Sequence, residues 1–103
     1  MEVIYTPKIE KFVKKLNIVL AYRTNRCITL LESCGELLEM PISKPLGKGL
    51  FELRIAGDNH VRIFYCFHKN KAYLLHAIMK KQQALPKKDI EIARKVMKQI
   101  CML

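Results

Sequence analysis

The sequence predicts an α+β fold in the order β-α-α-β-β-β-α, with a helical hairpin and a C-terminal helix around a small, mainly antiparallel sheet. Three observations carry this reading. Apolar residues recur at three- and four-residue spacing up to Cys34 and again after Pro86, as helices with a buried face require. Between Gly49 and Met79 the pattern changes to alternation or near-continuous apolar runs, which is strand behaviour. Those runs are separated by only a few turn residues, so consecutive strands should pair antiparallel. At 103 residues the chain suits one domain, 1–103, with no internal linker, repeat or low-complexity tract.

Glu2 to Tyr5 is short and β-rich, a first strand at a sheet edge. Thr6-Pro7 offers a cap and a proline at the first helical position, and Ile9, Phe12, Val13 and Leu16 give the following helix one apolar stripe. Asn17 caps a second helix with the stripe Leu20, Cys27, Leu30, Leu31 and Cys34, stopped by Gly35. Two helices back to back must cover something, and a sheet is the natural partner. Met40 to Gly49, with two prolines and two glycines, is expected to be a loop. Beyond it Phe51, Leu53 and Ile55 face one way, Glu52 and Arg54 the other. Gly57-Asp58-Asn59 is a turn, Val61 to Phe67 an apolar strand interrupted by Arg62, and Ala72 to Met79 a third strand after a turn at His68 to Lys71. The last two strands read as central, covered on both faces. Pro86 opens a final helix that buries Ile90, Ala93, Val96 or Met97, and Ile100.

The formal charge is +10, from 19 Lys and Arg against 9 Asp and Glu. Nine of those cations lie after His68 with only Asp89 and Glu91 against them, so the last third carries +7 and the first 68 residues +3. Such a field attracts polyanions or an acidic protein, though a solvated basic helix has the same composition. Cys27, Cys34, Cys66 and Cys101 form no CxxC pair, no His stands at metal-ligand spacing, and most of the four sit among apolar neighbours. No metal or other cofactor is expected, and a reducing cytoplasm fits the cysteine usage. No segment approaches the ~20 apolar residues of a membrane span, and the N-terminus lacks a signal-peptide stretch.

Phosphate-loop, dinucleotide and nucleophile-elbow motifs are lacking, and the acidic residues are too scattered for a two-metal nuclease. What remains is a set of basic and polar residues rooted in strands: Arg54, Arg62, Tyr65, His76, Lys80 and Lys81. A charge inside a central strand is costly unless it is paired or reaches water. Arg54 has Glu52 or Asp58 as ordinary salt-bridge partners, whereas few carboxylates remain for Arg62, which favours phosphate as its partner. Tyr65, three residues along a regular strand, should point away from Arg62. It also reads as a core tyrosine, His76 as a hydrogen-bonded core histidine, and Lys80-Lys81 as charges guarding a strand end. As a group they suit RNA transesterification through the 2′-OH, where Lys or His moves protons and arginines stabilise charge on the phosphoryl oxygens.

The runs KPLGKGLFELR (Lys44 to Arg54), VRIFY (Val61 to Tyr65) and LLHAIMKKQQALPKKDIEIA (Leu74 to Ala93) resemble the phage-derived, HigB-like branch of the RelE/ParE toxin superfamily, in the family's order and spacing. The likeness covers residues 9–98 loosely and 44–93 in specific motifs. Ile78, Leu85 and Asp89 stand where Phe, Thr and Glu are usual. The resemblance implies a RelE-like, microbial-ribonuclease-like fold, metal-independent cleavage of messenger RNA at the ribosome, and a cognate antitoxin as partner in a toxin-antitoxin hetero-oligomer. By motif matching Arg54 and Arg62 become phosphate-contacting residues and Lys80 and Lys81 the terminal-strand cations. Tyr65 matches a strand tyrosine of the family. His76 and Lys44 are further participants, and Lys48, Lys87, Lys88 and Lys95 extend the basic surface to which RNA would bind. Two other functions use the same composition: a ParE-like gyrase inhibitor, which has no need of the strand cations, and a basic RNA- or protein-binding module without catalysis. The antitoxin is expected to shield the cationic sheet face or its rim.

Overall fold

The computed structural model describes residues 1–55, 60–80 and 84–103. The described elements are β1 (Glu2–Tyr5), α1 (Pro7–Lys14), α2 (Ile18–Cys34), a 3-10 turn (Gly35–Leu37), β2 (Ser43–Gly47), β3 (Leu50–Ile55), β4 (His60–His68), β5 (Lys71–Lys80) and α3 (Lys87–Cys101). This is the expected α+β arrangement with one strand more. The strands form one sheet in the order β1-β5-β4-β3-β2, antiparallel throughout except for the parallel pair β1·β5. β1 takes the edge position expected of it, and β4 and β5 are interior.

The additional strand, β2, corrects the expected loop at Met40 to Gly49. Pro45 has no N–H to give to a ladder, and an edge strand tolerates this because only one side of it pairs. Its hairpin with β3 turns at Lys48 and Gly49, with φ of +52° and +82° after Gly47 at +94°. Two successive positive φ values give the backbone twist that matches paired strands. Lys69 and Asn70 do the same between β4 and β5, at +49° and +62°.

Asn17 caps α2 as expected, its side chain accepting from the Leu20 N–H at 2.9 Å. Thr6 departs from expectation. It occupies the cap position of α1 without a side-chain capping bond, and its hydroxyl donates to the Leu74 carbonyl at 2.9 Å, tying the helix start to β5. Gly35 ends α2 at φ +56°. Leu30 and Cys34 are exposed, so the buried stripe of α2 is Leu20, Thr24, Cys27, Ile28 and Leu31. Cys27 and Cys66 are buried, and Cys34 and Cys101 lie at the surface, two exceptions to the apolar setting expected for the cysteines. Burial raises the Cys27 thiol pKa and pushes Cys66 up to about 11, so both stay protonated.

The sheet separates two apolar clusters. On one face Ile9, Leu20, Cys27, Ile28 and Leu31 from the helical hairpin meet Leu53, Ile55, Val61, Ile63, Tyr65 and Leu74. On the other, Ala93, with Ile90, Val96, Met97 and Ile100 of α3, covers Leu50, Phe64, Cys66 and Leu75. The strict period of two in β4 divides its residues: Val61, Ile63 and Tyr65 to the hairpin, Phe64 and Cys66 to α3. Among the described residues no helix is long and apolar enough to cross a membrane.

Candidate active site

Beyond the area covered by α3, the sheet face that carries Phe64 ends in a group of charges. Register builds it: Lys44 lies opposite Glu52, Glu52 opposite Phe64, Arg54 opposite Arg62, and Phe64 opposite His76. Glu52, Arg54 and Arg62 share this face because β3 and β4 alternate regularly there. β5 does not. Between the pairs Tyr65·Leu74 and Phe64·His76 it carries one extra residue, Leu75, a bulge that turns both Leu75 and His76 toward α3.

Glu52 is the centre of the group. It is almost wholly buried, with Oε1 3.5 Å from Arg54 Nε and Oε2 3.7 Å from Arg62 Nε. Both contacts attract, but among the described residues the Glu52 Oε2 and the Arg62 Nε–H have no hydrogen-bond partner. Arg62 is itself nearly buried and is fixed by Nη1, which donates to the carbonyls of Val61 at 3.1 Å and Ile55 at 3.4 Å. Burial lowers its pKa, Glu52 works against that, and Arg54 adds to it. The sequence suggested that few carboxylates remained for Arg62; Glu52 supplies one, shared with Arg54. Arg54 is a third exposed, so its fork reaches solvent.

Lys80 closes the group from the end of β5. Its pKa falls below the ordinary lysine value, first through desolvation, then through the positive charge of Arg62, with Arg54 and Lys44 adding and Glu52 opposing. Arg54 and Arg62 thus pair with one carboxylate, Lys44 stands across the ladder from it, and Lys80 feels the charge of all four. An amine so placed gives up its proton more readily than a free lysine, and two arginine forks nearby suit phosphoryl oxygens. Lys81, expected beside Lys80, falls outside the described residues, as do Asp58 and its turn.

His76 stands at the border between this group and α3. Its Nε2 is 2.8 Å from Asp89 Oδ1 in the first turn of α3, and its ring stacks on Phe64 with centroids 6.0 Å apart. Asp89 was not among the sequence-based candidates; thirteen residues separate the pair, and only the docking of α3 joins them. Tyr65 points to the opposite face, as alternation from Arg62 requires. It packs in the hairpin-side core against Phe51 and Phe67, its hydroxyl contacts Ser43, and burial keeps its pKa raised. It does not join the cations.

The remaining basic candidates lie outside the cluster. Lys48 is at the exposed tip of the β2–β3 hairpin, and Lys87, Lys88 and Lys95 are exposed on α3. Arg94 has a structural role: its guanidinium donates to the carbonyls of Leu46 and Gly47 at 3.1 and 3.2 Å, fastening α3 to that hairpin. Among the described residues no group of three or more His, Cys, Asp or Glu could hold a metal ion.

Residues 11–98, from α1 to the last turn of α3, match the family described as Phage derived protein Gp49-like. The match takes in most of the chain, which therefore belongs to this family, a member of the RelE/HigB-like toxin superfamily. At that level the chain is consistent with a toxin of the toxin-antitoxin type, with an antitoxin as partner. No curated protein sequence matches it.

Proposed function

We propose that this chain is a toxin that cleaves messenger RNA at the ribosome without a metal ion, by transesterification through the RNA 2′-OH. The observation that carries the reading is the grouping of Lys44, Arg54, Arg62 and Lys80 at the end of one sheet face beyond α3, where the buried Arg62 Nε–H has no hydrogen-bond partner among the described residues. In this reading a proton leaves the 2′-OH, O2′ bonds to phosphorus, the bond to O5′ breaks, and O5′ takes up a proton. Arg54 and Arg62 bind the phosphoryl oxygens as charge builds on them. Lys80, with its lowered pKa, and His76, held by Asp89, are the groups suited to move the protons. Lys44, Lys48, Lys87, Lys88 and Lys95 extend a basic surface along the strand to be cut.

The test is cleavage of ribosome-bound messenger RNA by the purified chain, with and without EDTA, followed by analysis of the product ends. Products with 2′,3′-cyclic or 3′-phosphate and 5′-hydroxyl ends, formed equally well in EDTA, are expected. Strict metal dependence or 5′-phosphate products would exclude this chemistry, and intact RNA at high enzyme concentration would exclude catalysis.

A further inference from the structure

The helices α1 and α3 each have one apolar face, and both faces pack on the sheet's apolar clusters. α2 differs: besides its buried stripe it has a second row of residues four apart, Ile18, Tyr22, Arg26, Leu30 and Cys34, all of them exposed. Ile18 is 85% and Tyr22 64% exposed, and Val19 lies beside them at 53%. The row runs the length of the helix, about 24 Å at 1.5 Å per residue. Exposed apolar side chains grouped in this way mark an interaction site more often than chance, and Tyr and Arg are the residues on which binding energy tends to concentrate.

The charge on the row identifies what can cover it. Arg26 is the midpoint of the span from Ile18 to Cys34. A second copy of this chain packed two-fold through α2, antiparallel about that midpoint or parallel in register, places Arg26 against Arg26. With +10 on each chain, that contact is repulsive. Lys14 and Lys15, at the end of α1, lie next in sequence to the start of the row and add positive charge there. The fitting occupant is instead a helix of another protein with apolar residues at four-residue spacing and a carboxylate opposite Arg26.

We infer that the outer face of α2 is the docking surface for such an acidic amphipathic helix of a protein partner. The inner stripe of α2 packs on the sheet face of Leu53 and Ile55, so the sheet separates this surface from Arg54, Arg62 and Lys80. A partner anchored on α2 reaches the cationic cluster only with a second segment. The inference concerns binding and does not depend on RNA cleavage.

The probe is the product of the reading frame adjacent to this gene, titrated by calorimetry onto the full chain, with its Tyr22→Ala and Arg26→Glu variants. Each variant should weaken the complex tenfold or more while leaving thermal stability and RNA binding unchanged, since both side chains are at the surface. Ile18→Ser should do the same and serves as the control if either variant folds poorly. Undiminished affinity in all three overturns the inference. So does the absence of any complex with the unaltered chain, or a dimer of this chain that Tyr22→Ala dissolves.

Discussion

Arg54 and Arg62 lie directly opposite each other on β3 and β4, and one buried carboxylate, Glu52, serves both. Like charges paired across strands destabilise a sheet, so Glu52 is what makes the pair tolerable. The two arginines differ in exposure, 33% against 6%, and the same substitution should therefore read out differently. Arg62→Ala leaves Glu52 buried with half of its compensation, a loss on the order of 3 kcal/mol. Arg54→Ala should cost about 0.5 kcal/mol, because its ion pair is partly screened by water, while lowering RNA cleavage about 100-fold or more. Urea unfolding and a cleavage assay on both variants check this. Equal stabilities would remove Glu52 from its central place. The shared carboxylate and the carbonyl bonds of Nη1 make Arg62→Ala a loss of stability as well as of phosphate contact.

Glu52 is also the one charge in the group that raises the Lys80 pKa, against desolvation and three cations that lower it. Glu52→Gln should therefore move the Lys80 titration to still lower pH. If Lys80 takes a proton from the 2′-OH, the rate rises with pH up to that titration, and the inflection shifts down in the variant. The sign for stability follows separately. A lysine whose folded value is depressed costs the folded state while it is charged, and that cost is relieved as pH climbs from the folded value to the unfolded one. Stability should thus gain slightly over that alkaline window in the unaltered chain, and the gain should vanish in Lys80→Met. Rate and stability profiles of the three proteins test it, and an inflection unmoved by Glu52→Gln counts against the electrostatic coupling.

Much of this arrangement was legible in the sequence. Alternation placed Glu52 with Arg54 and separated Tyr65 from Arg62, because the period of a strand is two and needs no tertiary information. The three helices and the meander followed from spacing and turn residues. β2 was hidden because a proline and two glycines look like a loop, and only its edge position excuses them. Leu30 and Cys34 were assigned to the buried face of α2 because that helix is apolar on both sides, so periodicity cannot choose between them. The link from Glu52 to Arg62 needed the strand register. The meeting of His76 with Asp89 needed both a bulge at Leu75 and the docking angle of α3, neither of which has a periodic signature.

The His76–Asp89 contact invites a double-mutant cycle. With the pair 12% and 23% exposed, the hydrogen bond is sheltered but not sealed. His76→Ala and Asp89→Asn should each lower stability by about 1 kcal/mol, and the double variant should lose little more than either one. Strictly additive losses in urea unfolding would mean that the two side chains do not act together. Cleavage measured on the same proteins separates a tether for α3 from a group that moves protons. A tether costs stability with little change in rate, whereas a proton-transfer role lowers the rate well beyond the unfolded fraction.

The exposed lysines of α3 raise a different question, whether the helix touches RNA or only covers Phe64 and Leu75. Lys87 and Lys88 open the helix at the border where His76 meets Asp89, and Lys95 lies two turns beyond Lys88 along the same side. Changing the three together to Glu leaves the apolar stripe intact. Arg94 has to be spared, because its bonds to the Leu46 and Gly47 carbonyls hold the helix in place and its loss would confuse binding with undocking. Each cation that neutralises a phosphate of single-stranded RNA contributes about 0.7 to the slope of log affinity against log salt. If all three do so, the variant's slope should be shallower by about 2, with affinity reduced most at low salt and the melting temperature unchanged. Filter binding of an unstructured RNA across a range of salt concentrations measures the slope directly. A slope identical to that of the unaltered chain would assign α3 to packing alone and confine RNA contact to the cations of the sheet.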